Sequence, residues 1–487
     1  MTWKRVILSA GLALACALPA DAQRLLYVDG ANGNDAVPIA SNSPSTPWRS
    51  IGRAAWGSTN RNSPNAAEAA RAGDTVVVAG GTYSFGGTIG DRWGVVYNPV
   101  NQGTSGSPLT FRAQGAVRLT APSTQSPVIG CSGRNYVIWE GQFELDEAAI
   151  SITADTGTVV LVSATGCGVD GVYIDGDGAP TYRDNHTGVR VESCQSCFVR
   201  NSTIMDVRSQ SGNHNGSAVM LYNSDNTLIE HNYIYSVDNG VFIKGVFNVN
   251  DYQSGTIVRR NLMVNCEECI TVSDSRASRI YQNVVRDSQI GLMLLAREAG
   301  TYYHPIDDWF VNNTINGMTQ ACVMLNGGDW HENVRVWNNV LSNCQVANYR
   351  SGGNFSSNRA RVSWEHNVYG PFTIFADDAN AGEISSFTQW RSAYGHDAQA
   401  PASVNANPLF VSTANGDFRL CAGSGAPAGT CSSVSPAQGI GLDILDLDGD
   451  GSTSDAIRAG AYVTNVEVIG PATGLPRAPR GLSIRTP

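Results

Sequence analysis

Residues 188–204 read GVRVESCQSCFVRNSTI, and residues 218–234 read AVMLYNSDNTLIEHNYI. Each opens on a short run alternating Val or Leu with other residues, passes a polar turn, enters a second short apolar run, reaches Asn and ends in a third. The phrase returns as GVFIKGVFNVNDYQSGTIVRRNLM (240–263), CITVSDSRASRIYQNVV (269–285), GLMLLAREAGTYYHPIDDWFVNNTI (291–315), CVMLNGGDWHENVRVWNNVL (322–341) and ANYRSGGNFSSNRARVSWEHNVY (347–369). Asn201, Asn232, Asn261, Asn283, Asn313, Asn339 and Asn367 recur at one place, in steps of 31, 29, 22, 30, 26 and 28 residues. A fixed Asn with variable steps describes a constant strand framework carrying variable loops. The period is two, without helical periodicity. Repeats of this length with about three strands each predict an all-β parallel β-helix, a β-solenoid. Equivalent strands then lie about 4.8 Å apart along the axis, and the Asn side chains stack into a ladder.

The remaining chain fits around that repeat. Lys4 and Arg5, the apolar stretch 6–18 and Ala20-Asp21-Ala22 have the form of a secretory signal over residues 1–22. This predicts a secreted or periplasmic protein with no membrane span. We divide the rest into opening coils (23–125), central coils (126–375) and C-terminal coils with a cap (376–487). Ten cysteines follow the cleavage site. Cys194/Cys197 and Cys266/Cys269 are C-x-x-C pairs without neighbouring His ligands, which favours disulfides or buried stacks over zinc. Cys421/Cys431 is spaced for a local bridge. A net charge of −10 argues against a nucleic-acid partner but not against an acidic substrate met by local arginines or a cation.

Alternation places side chains on the first strand of each coil. Val191, Leu221, Ile243, Val272, Leu294 and Leu325 point inward, so Glu192, Tyr222, Lys244, Ser273, Leu295 and Asn326 form an outward column. The coil before is expected to add Asp175 and the coil after to add Arg350. A second outward column reads Tyr173, Arg190, Met220, Phe242, Thr271, Met293 and Met324. Aromatic faces beside Asp, Glu, Tyr and Lys suit a sugar-binding groove. Tyr173, Arg190, Phe242, Asn326, Arg350 and the loop residue His214 are the expected substrate contacts. Arg183, Asp184, His186, Asn215 and Asp238 are further loop candidates.

The Asn ladder and NNTI-type turns resemble the right-handed parallel β-helix of the pectate-lyase-like superfamily. LYVDGANGNDA with ARAGDTVVVAGGTY (26–83) resembles the opening segment of secreted members, and NPLFVSTANGDFRL (407–420) and DLDGDG with IRAGAYV resemble their closing coils. The resemblance implies a carbohydrate-related role on a fold that hosts lyases, hydrolases, epimerases and adhesins.

Lys244 narrows the chemistry. Of 32 Lys and Arg residues only Lys4 and Lys244 are lysines. A lysine amine can be shifted to accept a proton near neutrality, whereas arginine stays charged. NGVFIKG (239–245) is similar to the lysine strand of calcium-dependent pectate lyases, which implies Lys244 as the base of a β-elimination on a uronate polysaccharide. Tyr222 is then a donor to the leaving group and Arg276 a cation near the enolate. The aspartate cluster that such lyases carry on the preceding coil is missing. Calcium is therefore expected at Asp175, Asp177 and Glu192, a cluster that also includes Asp170 nearby. Two rival readings stand beside this one. Asp175 with Glu192, or Asp274, gives the paired carboxylates of a glycoside hydrolase, and the aromatics alone suffice for a non-catalytic glycan-binding protein. Finally, Asp446, Asp448, Asp450 and Gly451 match the start of an EF-hand-like calcium loop whose twelfth position is Ile457 rather than Glu. A monomer acting on an acidic polysaccharide is the expected assembly.

Overall fold

The computed structural model describes residues 23–85, 95–120, 127–147, 157–178, 186–209, 215–245, 253–296, 304–327, 331–351, 355, 361–378, 382–423 and 431–471. It is a parallel β-solenoid whose coils carry three strands. In one coil these are Thr187–Glu192, Phe198–Arg200 and Thr203–Val207. They pair in parallel with Ser217–Tyr222, Leu228–Glu230 and the start of Tyr233–Lys244 in the next. Stacking makes three sheets, called first, second and third in coil order. From Tyr233–Lys244 upward, the third strand of one coil and the first of the next are a single long strand: Leu262–Val272, Val284–Ala296 and Thr314–Gly327 follow the same plan.

The six inward residues expected on the first sheet, Val191, Leu221, Ile243, Val272, Leu294 and Leu325, are all completely buried. They join one continuous apolar core along the axis. The ladder is present and self-satisfying. The Oδ1 of Asn261, Asn283, Asn313, Asn339 and Asn367 each accepts both the backbone N–H and the Nδ2–H of the Asn one coil below, at 2.9–3.3 Å. Each ladder amide from Asn232 to Asn339 is thereby paired with the next, which removes the main cost of packing these polar groups there. The residue before each ladder Asn is left-handed: His231, Arg260, Gln282, Asn312, Asn338 and His366 have φ of 53–60°. For non-glycine residues this costs on the order of 1 kcal/mol each, offset by the ladder. Asn201 is corrected here. It occupies the left-handed position (φ 51°), and Ser202 takes the ladder place, its N–H donating to Asn232 Oδ1. At the top, Asn367 donates to Asp397, whose carboxylate also accepts from Ser403, Tyr369 and Trp390.

Both ends of the core are closed. A short helix, Ile51–Trp56, is N-capped by Ser50 and buried throughout at one end. At the other, Phe387–Tyr394 is capped by Ser386 and Gly395 and packs Trp390 against Phe355, Trp364 and Phe375. Beyond it, among the described residues only Val404–Asn405 adds a parallel strand, on Val368–Tyr369. The expected closing coils are instead two antiparallel hairpins, Phe410–Ser412 with Asp417–Leu420 and Gly441–Leu442 with Ala456–Ile457. The chain then runs back down the outside of the ladder corner. Asn338 bonds Leu442 and Gly460, Asn312 bonds Arg458, and Gly470 donates to Arg260. Phe418, Ala461, Tyr462 and Ile469 pack over Leu262 and Val284. The C-terminal segment therefore covers part of the outer third sheet, and the first and second sheets present the solenoid's other outer faces.

The Cys421–Cys431 bridge is formed, and a second joins Cys322 to Cys344. Cys194, Cys197, Cys266 and Cys269 are buried free thiols. Among the described residues no helix is long and apolar enough to cross a membrane.

Candidate functional site on the first sheet

Register settles the outward column over seven coils. Val162, Glu192, Tyr222 and Lys244 are successive partners. Ser273 follows, its N–H on Ile243 O, and then Leu295 and Asn326. The strand carrying Lys244 is pressed against the coil above. A Cβ at Gly240 would lie 2.3 Å from Cys269 O, and one at Gly245 would lie 2.5 Å from Asp274 Cβ. Glycine on both sides lets the Lys244 strand approach where no side chain fits.

Around Lys244 the groups interlock. Arg190 donates its Nε–H to Glu192 Oε2 at 2.7 Å and lays its guanidinium 4.3 Å from the centroid of Tyr222. Lys244 Nζ is 5.6 Å from that same ring and 5.5 Å from Phe242, within cation–π range. Arg190, Glu192, Tyr222 and Lys244 are half-buried, whereas Met220, Phe242 and Thr271 beside them are buried. The face is therefore not an ordinary solvated sheet. Farther up, Met293, Met324, Ile290 and Ala321 form an apolar floor joined by Leu295 and Tyr349. Asn326 is fixed there by Ser351 Oγ at 2.7 Å.

Several expected members lie elsewhere. Tyr173 and Asp175 sit on Tyr173–Gly178, a third-sheet strand paired with Thr203–Val207. The first-sheet strand of that coil is Val159–Val162. The Tyr173 hydroxyl meets Met205 Sδ at 3.1 Å, and burial together with Asp175 pushes its pKa up. Asp175 registers with Asp146, not with Glu192, and Asp177 is on the same third-sheet strand. The strands that carry the expected calcium set are thus split between two sheets, Asp175 is not brought to Glu192, and the hydrolase pair Asp175–Glu192 is dissolved by the same register. Arg350 is also corrected. It registers with the inward Leu325 and with Asp378 and is completely buried. A charge is tolerated inside because an aspartate lies directly beside it on the next strand.

Arg276 lies past the end of the first-sheet strand, on a two-residue pairing with Gln253–Ser254 in the turn toward the second sheet, and is exposed. His186 and Asp238 pin the junction of the third and first sheets. His186 bonds Glu147 Oε2 at 2.7 Å and Arg208 O at 2.8 Å, and Asp238 Oδ2 accepts from Ser209 and Gly216. His214, Arg183 and Asp184 lie outside the described residues. In the C-terminal hairpin, carboxylate oxygens of Asp443, Asp446 and Asp448 come within 4.8 Å of one another, as do those of Asp448, Asp450 and Asp455. Asp443 accepts from Leu445 and Leu447, and Asp446 from Gly451, so the loop is shaped by its own backbone.

Sequence reasoning did not anticipate the stacking of Arg190 on Tyr222. The spacing i, i+2 between Arg190 and Glu192 on one strand face was the available signal.

Residues 148–304 match the family described as right handed beta helix region, in agreement with the solenoid. No curated protein matches the chain. Among solved structures, the chain is similar to a mannuronic acid specific polysaccharide family 6 lyase from human gut microbiota (15% identity, TM-score 0.40, 68% of this chain and 81% of that chain). It is similar to pectate lyase Pel9A (12%, 0.40, 91% and 96%) and to a GH136 lacto-N-biosidase from Eubacterium ramulus (12%, 0.37, 73% and 67%).

Proposed function

We propose that the protein is a secreted polysaccharide lyase that cleaves a uronate-containing chain by β-elimination, with Lys244 as the base. The observation that carries this reading is the register of the first sheet. It sets a lone lysine between an aromatic cradle and an Arg–Glu pair. Among the described residues of that column, Glu192 has no second carboxylate on a neighbouring coil. The other acid at that end of the first-sheet strands, Asp274, lies three coils from Glu192, about 14 Å by sheet spacing. That is beyond the 6.5–9.5 Å that an inverting hydrolase needs.

In the proposed reaction a uronate ring lies across the column, resting on Tyr222 beside Lys244. The Lys244 amine takes the C5 proton, α to the carboxylate. The electron pair left on C5 forms the C4=C5 double bond as the C4–O bond breaks, and the Tyr222 hydroxyl gives its proton to the departing oxygen. Arg190, held 4.3 Å over Tyr222, supplies positive charge toward the carboxylate as negative charge builds there. Arg276 approaches only from the turn beyond the column. Leu295, Asn326 and Tyr349 offer places for sugars farther along the chain. No step is assigned to calcium, because the residues expected to hold it at this face are not brought together.

The test is product chemistry. The protein is incubated with polygalacturonate, alginate and glucuronan. Ultraviolet absorbance of the unsaturated product is followed beside new reducing ends. Both should rise together. Reducing ends without absorbance would assign hydrolysis, and binding without either would assign a glycan-binding protein.

A further inference from the structure

The outer face of the second sheet follows a rule with one exception. Its arginines are matched to carboxylates: Arg112 to Glu140, Arg200 to Asp170 at 2.8 Å, Arg259 to Glu230 at 2.7 Å and Arg279 to Asp307 at 3.4 Å. Arg335 breaks the pattern. Among the described residues nothing accepts a hydrogen bond from its guanidinium. It lies 4.2 Å from the Trp309 ring centroid and 4.9 Å from that of Trp337.

Both indoles are fixed. Trp309 Nε1 donates to Asp307 at 3.2 Å, and its ring carries Arg279 at 3.9 Å. Trp337 Nε1 donates to Ser363 Oγ at 2.9 Å, and His366 packs edge-on against its ring. Burial pulls the pKa of Arg335 down, yet an arginine stays protonated. A charged, planar donor group is therefore held in place by two aromatic rings, with no acceptor among the described residues. Near it, Arg279 and Arg335 face Asp307, while Glu365, the register partner of Trp337, is buried and accepts from Gln399 N–H. The guanidinium on its two rings is the complement of a planar carboxylate on a ring with an apolar face.

We propose that Arg335, Trp309 and Trp337 form a second glycan site, which takes the carboxylate of one uronate residue in a long acidic polysaccharide. The site lies on the next face of the solenoid, in the coil whose first-sheet strand carries Asn326. It would hold the polymer beside the first-sheet groove. The proposal rests on the acidic-polysaccharide part of the reading above, and not on cleavage.

Full-length protein carrying Lys244→Ala is tested by affinity electrophoresis in gels containing polygalacturonate or alginate, with highly methyl-esterified pectin as the uncharged control. Adding Arg335→Ala should weaken retention by the acidic polymers about tenfold, the scale of a lost charge-assisted pair, and leave the esterified control unchanged. Arg335→Gln, which keeps the stem and a planar head, should reproduce the loss if the alanine variant folds poorly. Unchanged retention in a folded Arg335 variant overturns the proposal. So does equal retention of esterified and acidic polymer by the parent. The absorbance assay on wild type separates the two readings. Retention that depends on Arg335 without unsaturated product would sink the lyase and keep this site, and the converse would sink this site alone.

Discussion

Lys244 and Tyr222 are direct partners on adjacent strands of the first sheet, with the lysine Nζ 5.6 Å from the centre of the tyrosine ring. The same ring carries Arg190 at 4.3 Å. One phenol is thus the shared wall of two cations, and its hydroxyl belongs to the residue directly paired with the proposed base.

Tyr222→Phe separates these two duties. The variant keeps the ring that Arg190 and Lys244 rest on and loses only the hydroxyl. We expect kcat to fall by about 10²-fold or more, the usual scale for a positioned acid, with KM little changed. Tyr222→Ala should lower kcat and raise KM together. A Phe variant with wild-type kcat would remove Tyr222 from proton transfer.

The ladder predicts a sharp contrast between two asparagines that look equivalent in sequence. Asn283→Ala removes the acceptor for Asn261 N and Nδ2 and the donors to Val258 O and Asn313 Oδ1. It should cost about 2–4 kcal/mol, since buried groups lose partners. Asn201→Gly changes a left-handed position with φ 51° that glycine adopts freely, and should be within about 1 kcal/mol of wild type. Urea unfolding of both variants measures the difference, and similar losses would contradict the assignment of Ser202 to the ladder.

Asp308 gives a pH signature. It is fully buried, Ser275 and Ser278 donate to its Oδ1, and burial pushes its pKa up to about 7. Folding therefore favours the protonated form. Its contribution is fully present below the unfolded value of about 4 and is lost as pH rises through about 7. Asp308→Asn should remove that slope. The Tm difference, variant minus wild type, should grow between pH 4 and pH 7 and then level off. The buried His331, lowered to about 3, has the opposite slope in both proteins and cancels in the difference. A Tm difference independent of pH would show that Asp308 is ionised throughout.

The core of the first sheet was legible because Val191, Leu221, Ile243, Val272, Leu294 and Leu325 alternate with polar or bulky neighbours, and alternation is what a pleated strand with one buried face imposes. The column around Lys244 was legible for the same reason. It failed below Glu192, where the true first-sheet strand, VVLV at Val159–Val162, is buried on both faces and shows no alternation. The third-sheet strand YIDGDG does alternate, and so Tyr173 and Asp175 were placed one sheet away from where they lie. Arg350 was misplaced because the inward positions near the top of the solenoid accept polar groups in pairs, here with Asp378. The C-terminal hairpins carry the same short apolar runs as coils, and only pairing direction distinguishes them.

The most direct test of Lys244 as a titrating base is the pH dependence of kcat/KM for wild type and Lys244→Arg on the polyuronate that gives unsaturated product, read by ultraviolet absorbance. The account predicts a wild-type rate that rises with pH through the deprotonation of one group. It predicts an arginine variant reduced by about 10²–10⁴-fold across the range, because a guanidinium keeps the charge and cannot take the proton. An arginine variant that retains wild-type activity and the same pH profile would contradict it.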